Sequence, residues 1–441
     1  MNINEETDKY PLTCYQMDIW LEQIMFPDDS FYNVGAYFTI KGLFDYSIFE
    51  EAVNILIKEN DALSIQLEED GIEIFQRFVP KPDNNVQFYD FTKETNPIEY
   101  SINWMKNEFL KPFEIESDFL FKNYIIKVAE DIHFWFTKAH HLVTDGMGYS
   151  LIDKRVVEIY NAIINGQVLC NREIYSYKDF IKKDLEYQNS NKYKVDGLFW
   201  QKIVENSPEA FLQTRKNNNK KITGKSLLKT LVLKRDFYND ILCFCEENNC
   251  TVFHFLIGIL YICISKIYSE NSFCIGIAVL NRNNTKFKKT IGHFVNIVPL
   301  ILNYEDEYSI KELFTDIRKM LFNCYRHIKY PLSEIIKKAD VKSKGKLFDI
   351  TLSYEKSNHS WEFCNAKKNT TRLYHNTEKN AIDICVKEYS EKNDVEIDFN
   401  YQLDLFDSSD IDNIVNSIIR LMRIGIQNPK LKLSEINIKE I

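Results

Sequence analysis

Along the chain, apolar positions repeat with two different periods. In SIFEEAVNILIKEN, Phe49, Val53, Ile55 and Leu56 recur on or near one face, the spacing of an amphipathic helix. PLTCYQMDIWLEQ predicts an earlier helix, and FYNVGAYFTIKG predicts a strand between the two. SIQLEEDGIEIFQRFV then reads as a hairpin turning at Asp70-Gly71. After a Pro-rich link, a helix is expected near Tyr100 to Leu110. FKNYIIKVAEDIHFWFTKAHH predicts a second hairpin, turning at Glu130-Asp131. A helix from Met147 to Asn165, closed by Gly166, follows it.

The second half uses the same vocabulary. TLVLKRDF, FCIGIAVL, FVNIVPLILNY, FDITLSYE, AIDICVKEY and VEIDFNYQLDLF predict strands, with helices between and after them, while TRKNNNKKITGK reads as a solvated loop. Thr251 to Tyr268 is apolar enough to imitate a membrane span. It is shorter than the ~20 residues a bilayer requires, and it carries His254 and Lys266. A core helix with Thr251 as N-cap is expected instead. No internal repeat is visible. The fold class expected is therefore α/β, in two lobes of residues 1–170 and 171–441, with a cleft between them as the natural pocket.

Composition removes several functions. The chain has 441 residues, 45% of them hydrophobic, enough for full cores. A formal charge of -9, with lysines interleaved among acids, gives no footprint for nucleic acid. The opening MNINEETDKY lacks the basic start and apolar run of a signal peptide, so the expected location is cytoplasmic, away from membranes. Ten cysteines are scattered without a CxxC pair. Cys243, Cys245 and Cys250 fall at helical spacings that suit no metal site, so reduced, mostly buried thiols are expected.

Candidate chemistry concentrates in KAHHLVTDGMGYS, Lys138 to Ser150. On a strand, side chains alternate. His140 therefore shares a face with Lys138 and Phe136, and His141 shares one with Ala139, Thr137 and Trp135. One histidine can project into the cleft while the other packs within its lobe. A histidine ending an apolar strand is more often a satisfied core residue, and that reading stands beside the functional one. Asp145 and Gly146 fall in the turn before the helix, where a carboxylate can fix a side chain and glycine leaves room for a ligand. Adjacent strand residues point apart and no third ligand sits nearby in sequence, so no metal is expected.

HHLVTDG matches the HHxxxDG signature of nonribosomal peptide synthetase condensation domains, relatives of chloramphenicol acetyltransferase. Further blocks follow in order across nearly the whole chain: PLTCYQMDIWLEQ with Gln16 and Trp20, YKDFIKKDLEYQNSNKYKVDGLFW, IGHFVNIVPL around a GxFVN core, RHIKYPLSEII and KLFDITLSYE. The resemblance implies two chloramphenicol-acetyltransferase-like lobes in a V-shaped pseudo-dimer, with the motif on the floor of a central tunnel. It implies amide formation between a donor acyl or aminoacyl thioester and the amine of an acceptor aminoacyl thioester. Both would ride on phosphopantetheine arms of partner carrier proteins, with no intrinsic cofactor. The chain would be monomeric or part of a larger synthetase.

His141, Asp145, His140 and Gly146 are the catalytic candidates that this resemblance points to. An α-amine of pKa near about 8 must attack as the free base, and an imidazole, titrating near about 6.5, suits that work. His141 would be base or hydrogen-bonding anchor, and the Gly146 N–H would meet the developing oxyanion. The chain departs from the family at Ser64, where an arginine normally holds the motif aspartate; Arg155 is the candidate replacement. DKRVVEIYNAIINGQ and DLEYQNSNKYKVDGLFW look more like domains that receive a non-peptidyl starter unit than like peptide-extending ones. Within the superfamily, an epimerase or an acyltransferase using coenzyme A or a free amine remains open. A non-catalytic carrier-binding module would ordinarily have lost the histidines.

Overall fold

The computed structural model describes residues 9–80, 85–169, 173–212, 223–339, 346–356 and 361–437. They form two compact units. The first comprises Met1–Ser190, Leu280–Val295 and Ser357–Asn376, and the second Asn191–Val279, Asn296–Lys356 and Thr377–Ile441. This division differs from the single boundary expected between residues 170 and 171. Two later segments return to the first unit because of what they pack against. Ala366–Arg372 pairs antiparallel with Asn33–Gly42, and Phe287, Ile291 and Phe294 are buried in the first unit's core. AKKNTTR has a single apolar residue, so periodicity gave no sign of a strand there. Its lysines and threonines suit the sheet edge it occupies.

In the first unit a five-stranded sheet runs in the order Ala366–Arg372, Asn33–Gly42, Ile132–His140, Phe121–Ala129, Val86–Asp90. Its neighbours are antiparallel except the last pair, which is parallel. Alternation along Ile132–His140 sorts the core. Trp135 and Ala139 join the cluster that holds helices Tyr46–Glu59 and Gly146–Ile164, through Phe49, Leu56, Val156 and Tyr160. Phe134 and Phe136 face helix Pro97–Leu110 through Met105 and Phe109. Both expected hairpins are present, one closing at Asp70↔Glu73 and one at Ala129↔Ile132. The first helix, Cys14–Met25, begins at a capping box in which Thr13 and Gln16 exchange hydrogen bonds.

The second unit is built on a six-stranded sheet, in the order Asn296–Asn303, Ser272–Val279, Ile350–Lys356, Ile382–Glu388, Val395–Gln402, Ser226–Leu233. Ile350–Lys356 is parallel to both its neighbours. All six strands expected from sequence are there. Helix Val252–Tyr268 is buried along most of its length, against helices Ile310–Tyr325 and Ser408–Gln427. Thr251 caps it in a capping box with His254, as its sequence predicts. Among the described residues no single helix is long and apolar enough to cross a membrane. The TRKNNNKKITGK loop lies largely outside the described residues. All nine described cysteines are free thiols, five of them buried.

Candidate active site

The strand Ile132–His140 delivers the histidine pair to its end, and the two rings have different environments. His140 is buried, with Nδ1 accepting from the Leu142 N–H at 3.2 Å and Nε2 3.2 Å from Gln23 Oε1. Since Nδ1 accepts, the proton sits on Nε2 and is donated to Gln23. Gln23 is itself anchored, its Nε2 donating to the carbonyls of Phe26 and Asp29. Burial, with the nearby His141, lowers the His140 pKa to about 3. This ring is a locked neutral strut, the satisfied core histidine of the alternative reading.

His141 is half-buried one residue past the strand, where its backbone N–H donates to the Tyr32 carbonyl at 2.9 Å. Its ring meets that of His293 edge to face, with centroids 5.3 Å apart. His293 is buried and, chiefly by burial, has its pKa lowered to about 3. The sequence placed His293 inside the GxFVN-like block without linking it to the pair. Only the tertiary fold brings the two together. Gln16 pins the motif loop from a third side, donating to the Leu142 carbonyl at 2.9 Å.

Asp145 is fully buried and N-caps helix Gly146–Ile164, Oδ1 accepting from the Gly148 N–H at 2.8 Å. The same oxygen takes Arg282 Nη2 at 2.7 Å, while Oδ2 accepts from the Phe294 N–H at 3.1 Å. Burial pushes the Asp145 carboxyl up, but the Arg282 charge and the Gly148 N–H outweigh it and leave the pKa lowered. Arg282 Nη1 donates to the carbonyls of Phe287 and Thr290, Nη2 donates also to that of Gly292, and the guanidinium lies 3.9 Å over the Phe294 ring. Asp145 thus fastens the whole segment that carries His293 to the motif. At Gly292, φ is +155°, and a Cβ would sit 2.2 Å from the Tyr177 ring, so only glycine fits. The Tyr177 hydroxyl donates to the His293 carbonyl at 2.6 Å.

Arg155 is not the partner of Asp145. Its guanidinium is taken by Glu59, at 2.8 Å from Nε and 2.6 Å from Nη2, with Glu158 beside it. Ser64 turns inward and donates to the Asp61 carbonyl. The counter-charge of Asp145 is Arg282, just after the strand FCIGIAV. Double-mutant cycles read by denaturant unfolding should show coupling of about 0.5–3 kcal/mol between positions 145 and 282, and additivity within ~0.5 kcal/mol between 145 and 155. Strong 145–155 coupling would reverse the assignment. Gly146, the exposed first residue of the helix, is the remaining candidate. Among the described residues no group of three or more His, Cys, Asp or Glu is placed to hold a metal.

The sequence model of the Condensation domain family matches residues 6–440. The chain belongs to that family. Condensation domains are the amide-forming acyltransferase domains of nonribosomal peptide synthetases. This one is similar to surfactin synthase subunit 1 of Bacillus subtilis (strain 168), 27% identical over 97% of this chain, and to a dimodular nonribosomal peptide synthase of the same organism, 24% identical over 98%. It spans 12% and 18% of those synthetases. Its fold is that of a starter condensation domain of rhizomide synthetase solved with C8-CoA and Leu-SNAC, with a TM-score of 0.87, 21% identity and 98% of each chain covered. The first condensation domain of the calcium-dependent antibiotic synthetase, in complex with a substrate analogue, matches with a TM-score of 0.84 at 15% identity, over 97% of this chain and 98% of that one.

Proposed function

We propose that this condensation domain joins a donor acyl thioester to the α-amine of an acceptor aminoacyl thioester, each carried on the phosphopantetheine arm of a carrier protein. The observation that carries the reading is the division between the two histidines. His140 has both nitrogens engaged and is held neutral, whereas His141 stands half-buried on the other face. His141 takes a proton from the attacking nitrogen as that nitrogen bonds to the thioester carbon. The C–S bond then breaks, the thiolate of the donor arm leaves and is protonated, and the amide remains on the acceptor arm. The Gly146 N–H, in the first turn of its helix, donates to the developing oxyanion in this proposal. Asp145 and His140 position these groups and do not react.

The donor in this proposal is a starter acyl group without an α-amine. Two segments support it by their likeness to starter-type domains, Asp153–Gln167 and Asp184–Trp200, as does the fold shared with a starter domain solved with C8-CoA. The test loads aryl, fatty acyl, aminoacyl and dipeptidyl groups on the donor carrier, offers one fixed aminoacyl acceptor, and identifies products by mass spectrometry. Amides from the fatty acyl or aryl donors are expected. A marked preference for the dipeptide would defeat the starter assignment alone. An epimerised aminoacyl thioester, turnover only with coenzyme A donors, or no amide from any donor would defeat amide formation between carriers.

A further inference from the structure

Two cysteines of the second unit meet in one turn, far along the chain from the motif. Helix Arg235–Glu247 ends in a Schellman motif: Asn249 has φ of 52°, the Cys250 N–H donates to the Cys245 carbonyl at 2.9 Å, and the Asn249 N–H donates to the Glu246 carbonyl at 3.2 Å. This turn sets the third residue from the helix end beside the second residue beyond its cap, usually for an apolar contact. Helix Gly146–Ile164 ends the same way, with Gly166 at φ 61° and the Gln167 N–H on the Ala162 carbonyl at 2.8 Å. There the paired residues are Ala162 and Gln167. Here they are Cys245 and Cys250. A backbone hydrogen bond between two residues keeps their Cα atoms within the ~4.4–6.8 Å that a disulfide spans.

The two thiols are unequal. Cys245 is buried and Cys250 half-buried, and Cys250 precedes Thr251, the N-cap of helix Val252–Tyr268. Arg318 reaches the same turn, Nη1 donating to the Asn249 carbonyl at 2.6 Å. The neighbouring Cys245 thiol lowers the Cys250 pKa; burial opposes this and the Arg318 charge reinforces it. The Cys250 thiol and burial together push Cys245 up. One sulfur is therefore both the more acidic and the more accessible.

We propose that Cys245 and Cys250 are a redox modification site that takes a hydroperoxide as oxidant and closes to a disulfide. The Cys250 thiolate attacks the peroxide O–O bond, giving a sulfenic acid and, with one proton, water. The Cys245 thiol attacks the sulfenic sulfur. Its proton joins the departing hydroxide as a second water, so two thiols and one hydrogen peroxide yield one disulfide and two waters.

The native full chain, treated with limiting hydrogen peroxide, denatured, alkylated and fragmented for mass spectrometry, should show Cys245 and Cys250 escaping alkylation together. The peptide should be lighter by two hydrogens, and dithiothreitol should restore both sites. Exposed Cys243, two residues away, should still alkylate. In Cys245→Ala, Cys250 should stop at a sulfenic acid that dimedone traps. Oxidation of Cys243 first, or of Cys250 alone to the sulfinic acid with Cys245 still alkylated, would overturn the site. The wild-type alkylation pattern decides by itself should Cys245→Ala fail to fold.

Discussion

His141→Ala should lose about 10²–10⁴-fold in single-turnover amide formation, the range a positioned general base contributes, while unfolding at the same midpoint as the parent. The ring is half-buried and sits past the end of its strand, so an alanine there opens no core cavity. His141→Gln separates base from anchor, because the amide can hydrogen-bond but cannot take the proton. Recovery of most of the rate by glutamine would assign an anchoring role. Near-parental turnover by the alanine variant would sink His141 altogether. His140→Ala is the contrasting case: it leaves the Leu142 N–H and Gln23 Oε1 unpaired in the interior, at roughly 1–3 kcal/mol for a buried group left without its partner. The first substitution is expected to act on rate and the second mainly on stability, although the rings are adjacent in sequence.

That separation follows from a two-residue period and was visible in the sequence, but which ring had which role was not. His140 is locked by Gln23, 117 residues away, and by a backbone N–H in the loop that follows, neither of which has a signature in a strand pattern. Strands with dense apolar runs, such as Ile132–His140 and Asn296–Asn303, were legible because burial on both faces dictates their side chains. Ala366–Arg372 was not, since an edge strand rich in lysine and threonine resembles a loop. The partner of Asp145 failed for a related reason. Arg155 stands ten residues from Asp145 on the following helix, yet Glu59 takes it from the neighbouring helix. Arg282 is distant in sequence and becomes adjacent only when Leu280–Val295 folds back into the first unit. Its one sequence signal was an arginine three residues past the end of an apolar strand, in FCIGIAVLNR. The same holds for His293, whose ring reaches His141 through a segment that Gly292, Tyr177 and Asp145 hold in place.

Asp145→Ala should cost about 3–5 kcal/mol in denaturant unfolding, because it leaves the Arg282 guanidinium buried without its counter-charge. The lost N-cap at Gly148 is part of the same measured figure and not a separate addition. Amide formation should fall as well, since the Phe294 N–H loses its acceptor and the segment bearing His293 loses its fastening. Asp145→Asn should recover part of the stability by keeping an oxygen for the cap, but not the charge that Arg282 requires. The pH dependence gives an independent check. The folded carboxyl is held below its ordinary value, so its contribution is full above the unfolded carboxylate range near about 3.9 and is lost as pH falls through the lower folded value. Stability curves of parent and Asp145→Ala should therefore run apart near neutrality and converge in acid. If the alanine variant is inactive yet unfolds with the parent at neutral pH, Asp145 acts directly in the reaction. If it is destabilised by the same amount down to the lowest pH reached, the stabilisation does not come from the charged carboxylate facing Arg282.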